Sequence, residues 1–90
     1  MCGFAGIVSA HPQRLAAVPL ADAIACLRHR GPEPAATWTD AHTQCRMAHA
    51  RLSIIDPEPR SRQPFAYADR FTIAFNGEIY NYVEIREELR

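Results

Sequence analysis

The chain has 90 residues, of which 48% are hydrophobic and 22% are charged. This apolar content excludes an intrinsically disordered protein and is enough for one small domain. Ten basic and ten acidic residues give a net charge of zero, so neither nucleic acid nor an acidic membrane surface is an expected partner. No segment approaches the roughly 18 apolar residues of a membrane helix, and no signal-peptide pattern is present. We therefore expect a cytoplasmic protein.

The first elements in chain order are a strand and a helix. The apolar run FAGIVS, from Phe4 to Ser9, predicts a buried strand, and the HPQRL segment at 11–15 predicts a loop. From Pro19 the residues PLADAIACLRHR predict a helix that Gly31 and Pro32 stop. Its apolar face follows the i, i+4, i+7 spacing and consists of Leu20, Ile24 and Leu27. Cys26 lies on this helix and is expected to be buried.

The middle of the chain predicts strands and an irregular loop. Thr37–Thr39 has strand-forming residues, and Cys45–Ile55 predicts two short strands or one bent strand. Residues 56–64 contain three prolines and predict a loop. The alternation in Phe71–Asn76 predicts a further strand. These elements indicate an α+β protein. Its expected aromatic core consists of Trp38, Phe65, Phe71 and Phe75.

A turn and a helix close the chain. Asn76 and Gly77 form a strong turn signal. Asn81 is a good N-cap with Glu84 three residues later, which predicts the start of a helix. Only about two turns of this helix follow, and such a short helix is marginal without partners. We therefore expect the chain to be the front part of a longer one.

Cysteines and histidines do not suggest a metal site or a disulfide framework. Their wide spacings match neither pattern, and no paired carboxylates or phosphate-binding loop is present. The residues are Cys2, Cys26, Cys45, His11, His29, His42 and His49. We expect no metal and no cofactor in this chain.

Four stretches carry the functional signal when they are taken together. They are MCGFAG at 1–6, RHRGPE at 28–33, HARLSIIDPE at 49–58 and FNGEIYNYVEIREEL at 75–89. In content, order and spacing they resemble the class II glutamine amidotransferases, whose catalytic domain is an N-terminal-nucleophile (Ntn) hydrolase. Within that group they look most like the glutaminase domain of glutamine-hydrolysing asparagine synthetases.

The resemblance implies a fold and a substrate. The family fold is an αββα sandwich of two antiparallel sheets between helical layers. Residues 1–90 would supply the N-terminal part of that domain, with the second half of the sandwich missing. The implied reaction hydrolyses L-glutamine and supplies ammonia for ATP-dependent asparagine synthesis from aspartate.

Cys2 is the implied nucleophile. An amide is a poor electrophile and needs a strong nucleophile, a proton acceptor and donors for the developing oxyanion. If Met1 is removed, Cys2 supplies a thiolate together with a free α-amine, whose ordinary pKa is about 7.7–8.0. The α-amine can then accept and return protons near neutral pH.

The remaining implied site residues bind glutamine. Asn76 and Gly77 match the family's oxyanion hole, and both also count among the residues that contact glutamine. Arg51 matches the residue that clamps the α-carboxylate, a role that suits a planar guanidinium. Leu52, Ser53, Ile54 and Ile55 would line the pocket. Glu78 matches a contact to the α-amino end.

The sequence gives two glycines alternative interpretations and gives three acidic residues a structural role only. Gly3 and Gly6 fit either a tight backbone beside the nucleophile or plain strand packing. Glu33, Asp56 and Glu58 are interpreted as turn and loop residues.

The resemblance also has limits. The family completes the pocket with an aspartate located beyond Arg90, and its ATP- and Mg-dependent synthetase domain would also lie outside these residues. The expected partner is that domain or a separate chain, and the oligomeric state stays open. Two alternatives remain. The chain could be a non-catalytic remnant or a split-partner, glutamine-binding module, or it could belong to an amidotransferase that acts on another acceptor.

Overall fold

A computed structural model describes residues 1–42 and 44–90. Within them the chain forms antiparallel strands and short helices in a mixed α+β architecture. In chain order these are β1 (Gly3–Val8), α1 (Pro12–Ala16), α2 (Leu20–Leu27), β2 (Ala36–Thr39), β3 (Cys45–Ala50), β4 (Phe65–Tyr67), β5 (Phe71–Ile73) and α3 (Tyr82–Glu88), with a 3₁₀ turn at Pro59–Ser61 before β4. The α+β class and the antiparallel sheets predicted for part of an αββα sandwich are confirmed.

The main sheet has three strands, with β3 between β1 and β2. Both pairings are antiparallel, and Gly3 lies opposite Ala50. Helix α2 packs on this sheet, so close to β1 that a Cβ atom at Gly3 would lie 3.1 Å from Leu27 Cδ2. Among the described residues, the buried apolar side chains are Leu15, Leu20, Ala48 and Ala50. The core therefore lies between the sheet and the two first helices.

Strand β1 is buried on one face only. Gly3, Ala5 and Ile7 alternate with Phe4 and Val8, which are 49% and 77% exposed. The prediction of a buried strand is wrong for this face, because α2 covers the opposite side of the sheet, and on the Phe4 side the described residues bury only the end near His49.

The segment predicted as a loop at 11–15 is helix α1. Pro12 occupies the first turn, where its missing N–H costs nothing, and Leu15 is fully buried. The Arg46 guanidinium donates to the carbonyls of Leu15 at 3.0 Å and Val18 at 3.3 Å, which ties the end of α1 to β3. This contact joins segments that are distant in sequence, so local sequence patterns do not predict it.

Helix α2 confirms the predicted apolar face but not the burial of Cys26. Leu20 is buried and Ile24 and Leu27 are half-buried, whereas Cys26 is exposed. Two residues along a helix correspond to about 200° of rotation, so Cys26 points away from the sheet that Ile24 faces. The helix ends at Leu27, before the predicted stop at Gly31.

Strand β3 is a single strand that ends at Ala50, so the prediction of two short strands or one bent strand over 45–55 is wrong. Beyond Ala50 the main chain binds other partners. The Glu33 N–H donates to the Arg51 carbonyl at 3.3 Å, and the Leu52 N–H donates to Cys2 Sγ at 3.3 Å. Residues 51–55 therefore belong to no strand, and the chain bends at residues 54 and 55.

The second sheet is the β4–β5 hairpin. Phe65 pairs with Ile73 and Tyr67 with Phe71, and the turn between the strands holds Ala68 and Asp69 at positive φ. The sequence analysis missed β4, and β5 ends at Ile73 rather than at Asn76.

Much of the expected aromatic core is exposed. Phe65, Phe71 and Phe75 are 43%, 56% and 41% exposed, so the prediction that they lie in the core is wrong. Trp38 is half-buried.

Helix α3 begins after Asn81, as predicted, but the Asn81 side chain makes no capping hydrogen bond and the helix buries no residue. Both the hairpin and α3 therefore lack a packing partner in the described residues. No helix there is long and apolar enough to cross a membrane.

Candidate active site

Cys2 is held beside the end of β3. Because Gly3 pairs with Ala50, the residue before β1 meets the residues that follow β3. The Leu52 N–H donates to Cys2 Sγ at 3.3 Å, and the thiol contacts the Leu52 carbonyl at 3.6 Å. Arg30 Nε donates to the Cys2 carbonyl at 3.0 Å. These three contacts fix the thiol and the main chain of Cys2 beside the end of β3.

Cys2 opens onto a cleft of about 710 Å³. The cleft lies between the N-terminus, the segment after β3 and the loop between β5 and α3. Its lining consists of Met1, Cys2, Leu52, Ile54, Ile55, Gln63, Phe75, Asn76, Gly77, Glu78, Ile79, Tyr80 and Tyr82. The structure thus brings together most of the predicted site residues, namely Cys2, Leu52, Ile54, Ile55, Asn76, Gly77 and Glu78.

In the loop that carries Asn76 and Gly77, the Phe75 ring packs closely against Gly77. A Cβ atom at Gly77 would lie 2.7 Å from Phe75 Cζ, so a larger residue would displace the Phe75 ring. The Phe75 N–H donates to Gln63 Oε1, which joins this loop to the segment before β4. The position of Asn76 and Gly77 in the cleft therefore depends on how Phe75 is anchored.

Arg51 does not line the cleft with Cys2. Its guanidinium donates to the carbonyl of Asp56 at 2.6 Å and more weakly to that of Glu58 at 3.5 Å. Asp56 has a φ of 50°, which turns the chain back toward Arg51. Arg51 instead lines a smaller cavity of about 160 Å³, together with Glu33, Pro34, Ala35, Ala36, His49, Arg62 and Gln63.

Ser53 is turned toward Glu33 and is also absent from the cleft lining. Its N–H and its hydroxyl both donate to the Glu33 carboxylate, the hydroxyl at 2.7 Å. The Ser53 hydrogen bonds hold the pKa of Glu33 below its usual range. The interpretation of Glu33 as a plain turn residue was incomplete, since its carboxylate anchors the segment that passes Cys2. Its place in the RGPE motif was the available signal.

His49 is a buried residue that the sequence analysis left without a role. It is 1% exposed, and neither ring nitrogen has a hydrogen-bond partner among the described residues. Burial lowers the pKa of the His49 imidazole. The nearby Phe75 carbonyl opposes this shift without reaching hydrogen-bonding geometry, and the charge of Arg51 reinforces it. The imidazole is therefore neutral at physiological pH.

Glycines allow close backbone approaches around the site. A Cβ atom at Gly31 would lie 2.4 Å from the Ala50 carbonyl carbon and 2.5 Å from the Arg51 nitrogen. From the sequence, Gly31 was interpreted as a helix stop within the RHRGPE motif, without a packing role. A Cβ atom at Gly6 would meet its nearest neighbour at an ordinary 3.7 Å, which favours plain strand packing there. Among the described residues, no group of three or more histidine, cysteine, aspartate or glutamate side chains could hold a metal ion.

This chain is similar to known proteins over its whole length. Residues 1–90 match the family model described as "Glutamine amidotransferase domain". The chain is 42% identical to asparagine synthetase [glutamine-hydrolyzing] 1 of Bacillus subtilis (strain 168), over 99% of the chain and 14% of that protein. It is 40% identical to a putative asparagine synthetase [glutamine-hydrolyzing] of Mycobacterium tuberculosis (strain H37Rv), over 100% of the chain and 16% of that protein.

A plant protein is similar to the chain over nearly the same residues. The root asparagine synthetase [glutamine-hydrolyzing] of Pisum sativum is 33% identical over 99% of the chain and 15% of that protein. The chain therefore spans about 14–16% of the length of these curated relatives. No solved structure matches it. Because the family model covers every residue, including the four motifs, the chain belongs to the class II glutamine amidotransferase domain family.

Proposed function

We propose that this chain contributes the glutamine-hydrolysing centre of a larger amidotransferase. The observation that carries the proposal is that Cys2, at one end of the chain, shares a cleft with Asn76 and Gly77, at the other. A thiol nucleophile and two potential oxyanion donors are the groups that amide hydrolysis through an acyl-enzyme requires.

Cys2 attacks the glutamine side-chain amide once Met1 has been removed. Met1 lines the same cleft, so its removal both frees the Cys2 amine and enlarges the space for substrate. The α-amine takes the thiol proton, and Sγ forms a bond to the amide carbon. The C–N bond then breaks, and the protonated α-amine returns its proton to the departing ammonia. Water hydrolyses the thioester and releases glutamate.

Asn76 and Gly77 stabilise the tetrahedral intermediate. The Asn76 side-chain amide and the Gly77 N–H are donors that would face the developing oxyanion. Loss of one such donor in other enzymes costs about 2.7–4 kcal/mol of transition-state stabilisation. Glycine at position 77 keeps its N–H accessible without a side chain in the cleft.

Arg51 holds the glutamine α-carboxylate, and Glu78 contacts the α-amino end. Arg51 binds the carbonyls of Asp56 and Glu58, so we propose that it exchanges these neutral acceptors for the substrate carboxylate. A bidentate pair with a carboxylate is the stronger interaction, which favours the exchange. Leu52, Ser53, Ile54 and Ile55 form the wall beside it, with Ser53 contributing main-chain atoms because Glu33 holds its side chain.

The ammonia serves asparagine synthesis from aspartate in the cytoplasm. Support comes from the relatives, whose printed names are asparagine synthetase [glutamine-hydrolyzing]. In this proposal residues 1–90 are the N-terminal part of the amidotransferase domain. ATP and magnesium belong to a synthetase domain outside these residues or to a partner chain.

The test compares the complete protein with its Cys2→Ala variant. We expect intact-mass analysis to show Met1 removed, and the wild type to release glutamate and ammonia from glutamine. Cys2→Ala should lose this activity, yet still make asparagine from aspartate, ATP and added ammonium. A retained Met1, or glutamine hydrolysis that survives Cys2→Ala, would contradict the proposed nucleophile.

The same assay decides between acceptors. If wild-type protein hydrolyses glutamine but never amidates aspartate, the acceptor is another carboxyl compound. If the wild type binds glutamine without hydrolysing it, the chain is a binding module.

A further inference from the structure

Gln63 connects the two cavities of the site. It lines the cleft that contains Cys2 and also the smaller cavity that contains Arg51. Its side chain is half-buried, and its Oε1 accepts the N–H of Phe75. Phe75 directly precedes Asn76, so this hydrogen bond acts on the loop that carries the proposed oxyanion donors.

This loop has few other anchors. Among the described residues, the Phe75–Gln63 bond is the only hydrogen bond that joins residues 74–80 to an earlier part of the chain. The Phe75 carbonyl lies near the buried His49 ring. Phe75 is therefore held through the hydrogen bond of its N–H, with a buried ring near its carbonyl.

Movement of Phe75 is transmitted to Gly77. A Cβ atom at Gly77 would lie 2.7 Å from Phe75 Cζ and 3.2 Å from Phe75 Cε2, so the ring and the glycine backbone are packed against each other. A shift of Phe75 cannot leave Gly77 in place. Misplacement of a reacting group by about 1 Å can cost about 100-fold in rate.

We propose that Gln63 is a positioning residue, which holds the Asn76–Gly77 loop at the distance from Cys2 that oxyanion stabilisation requires. This inference rests on the proposed function and extends it to a residue outside the Cys2, Arg51–Ile55 and Asn76–Glu78 set. Gln63 acts through the Phe75 main chain and does not itself contact the reacting atoms.

The test uses two substitutions at position 63 in the complete protein. Gln63→Met keeps the length of the side chain but removes the acceptor for the Phe75 N–H. Gln63→Glu keeps an acceptor oxygen at that place and should rescue the function. Gln13→Met is the matched control, since Gln13 is exposed on α1, away from both cavities.

Two readouts separate positioning from general damage. Glutamine hydrolysis depends on the oxyanion donors, whereas alkylation of Cys2 by iodoacetamide displaces iodide from a saturated carbon and forms no oxyanion. For Gln63→Met we expect kcat to fall about 10- to 100-fold, with KM within about threefold of wild type. Alkylation should stay within about twofold, because Leu52 still holds the sulfur. Gln63→Glu should recover kcat to within about fivefold of wild type.

Several results would overturn the inference. If Gln63→Met has the kcat of Gln13→Met in an active protein, Gln63 has no positioning role and the proposed function stands without it. If kcat and the alkylation rate fall together, the residue is merely structural. A raised KM at unchanged kcat would indicate substrate binding instead. If wild-type protein does not hydrolyse glutamine, the proposed function fails first, and the inference with it.

Discussion

Gly31→Ala is expected to damage the junction on which the site is built. The added methyl would lie 2.4 Å from the Ala50 carbonyl carbon, 2.5 Å from the Arg51 nitrogen and 2.6 Å from the Ala50 oxygen. All three are backbone atoms at the end of a paired strand, so none can rotate away. The connection after α2 or the end of β3 must therefore move by close to 1 Å to restore ordinary contact.

The cost follows from the packing. Overpacking a buried position typically destabilises a protein by about 1–3 kcal/mol, and rigid neighbours place Gly31 at the upper end of that range. For a domain of about 150–250 residues, each kcal/mol lowers Tm by about 2–4 °C. We therefore expect Gly31→Ala to lower Tm by about 6–12 °C. The displaced Arg51 precedes Leu52, whose N–H faces Cys2 Sγ, so the rate of glutamine hydrolysis should fall as well.

Gly6→Ala is the matched control. Its added methyl would meet Met47 Cγ at 3.7 Å and the Arg46 carbonyl at 3.8 Å, which are ordinary van der Waals contacts. Thermal unfolding and glutamine hydrolysis of both variants would be measured in the complete protein, and Gly6→Ala should remain within about 2 °C of wild type. A Gly31→Ala protein that melts and turns over like Gly6→Ala would refute the argument that strand β3 and the connection after α2 are in rigid contact.

Three further predictions concern charge, the Cys2 main chain and the isolated segment. The pKa of Glu33 is depressed, so its ionised form adds stability above the ordinary glutamate pKa of about 4.3, and that stability is lost as pH falls through the depressed value. Glu33→Gln should thus melt below wild type at pH 6–7, with the two curves converging only as pH falls below about 4.3; a constant gap would contradict this linkage. Arg30→Met removes a charge-assisted hydrogen bond to the Cys2 carbonyl and should lower kcat for glutamine hydrolysis about tenfold, leaving ammonium-dependent synthesis intact; equal loss of both activities would argue for misfolding. Residues 1–90 alone should bind a dye specific for exposed apolar surface, unfold without a cooperative transition and hydrolyse little or no glutamine, since the hairpin and α3 bury almost nothing; a sharp melt with robust turnover would show otherwise.

Local pattern was sufficient where an element is stabilised by its own neighbours. The i, i+4, i+7 spacing of Leu20, Ile24 and Leu27 predicted the face of α2 that meets the sheet, because helix periodicity alone selects those side chains. The Asn-Gly signal at 76–77 predicted a turn, and the structure has a bend at Gly77, after β5. The order of the four motifs identified the family, which the match over residues 1–90 confirms.

Burial could not be predicted from apolar character alone. Phe71 and Phe75 alternate as a strand should, and together with Phe65 they were expected in the core, yet each of the three is more than 40% exposed. Whether an apolar face is buried depends on what covers it, and the described residues contain no element that covers the β4–β5 hairpin. Cys26 was also expected to be buried because it lies on an apolar helix. It is exposed because α2 buries only the side that faces the sheet.

Motif content and spacing are enough to name candidate residues of the site, whereas the packing of distant segments sets which of them meet. Antiparallel pairing of Gly3 with Ala50 brings Cys2 to the Leu52 N–H, across 50 residues of chain. The same geometry turns Arg51 toward the Asp56 carbonyl and Ser53 toward Glu33, away from the cleft that both were expected to line. Hydrogen bonds between segments distant in sequence follow from strand register and chain reversal, which depend on the packing of the whole chain and leave no local pattern to read.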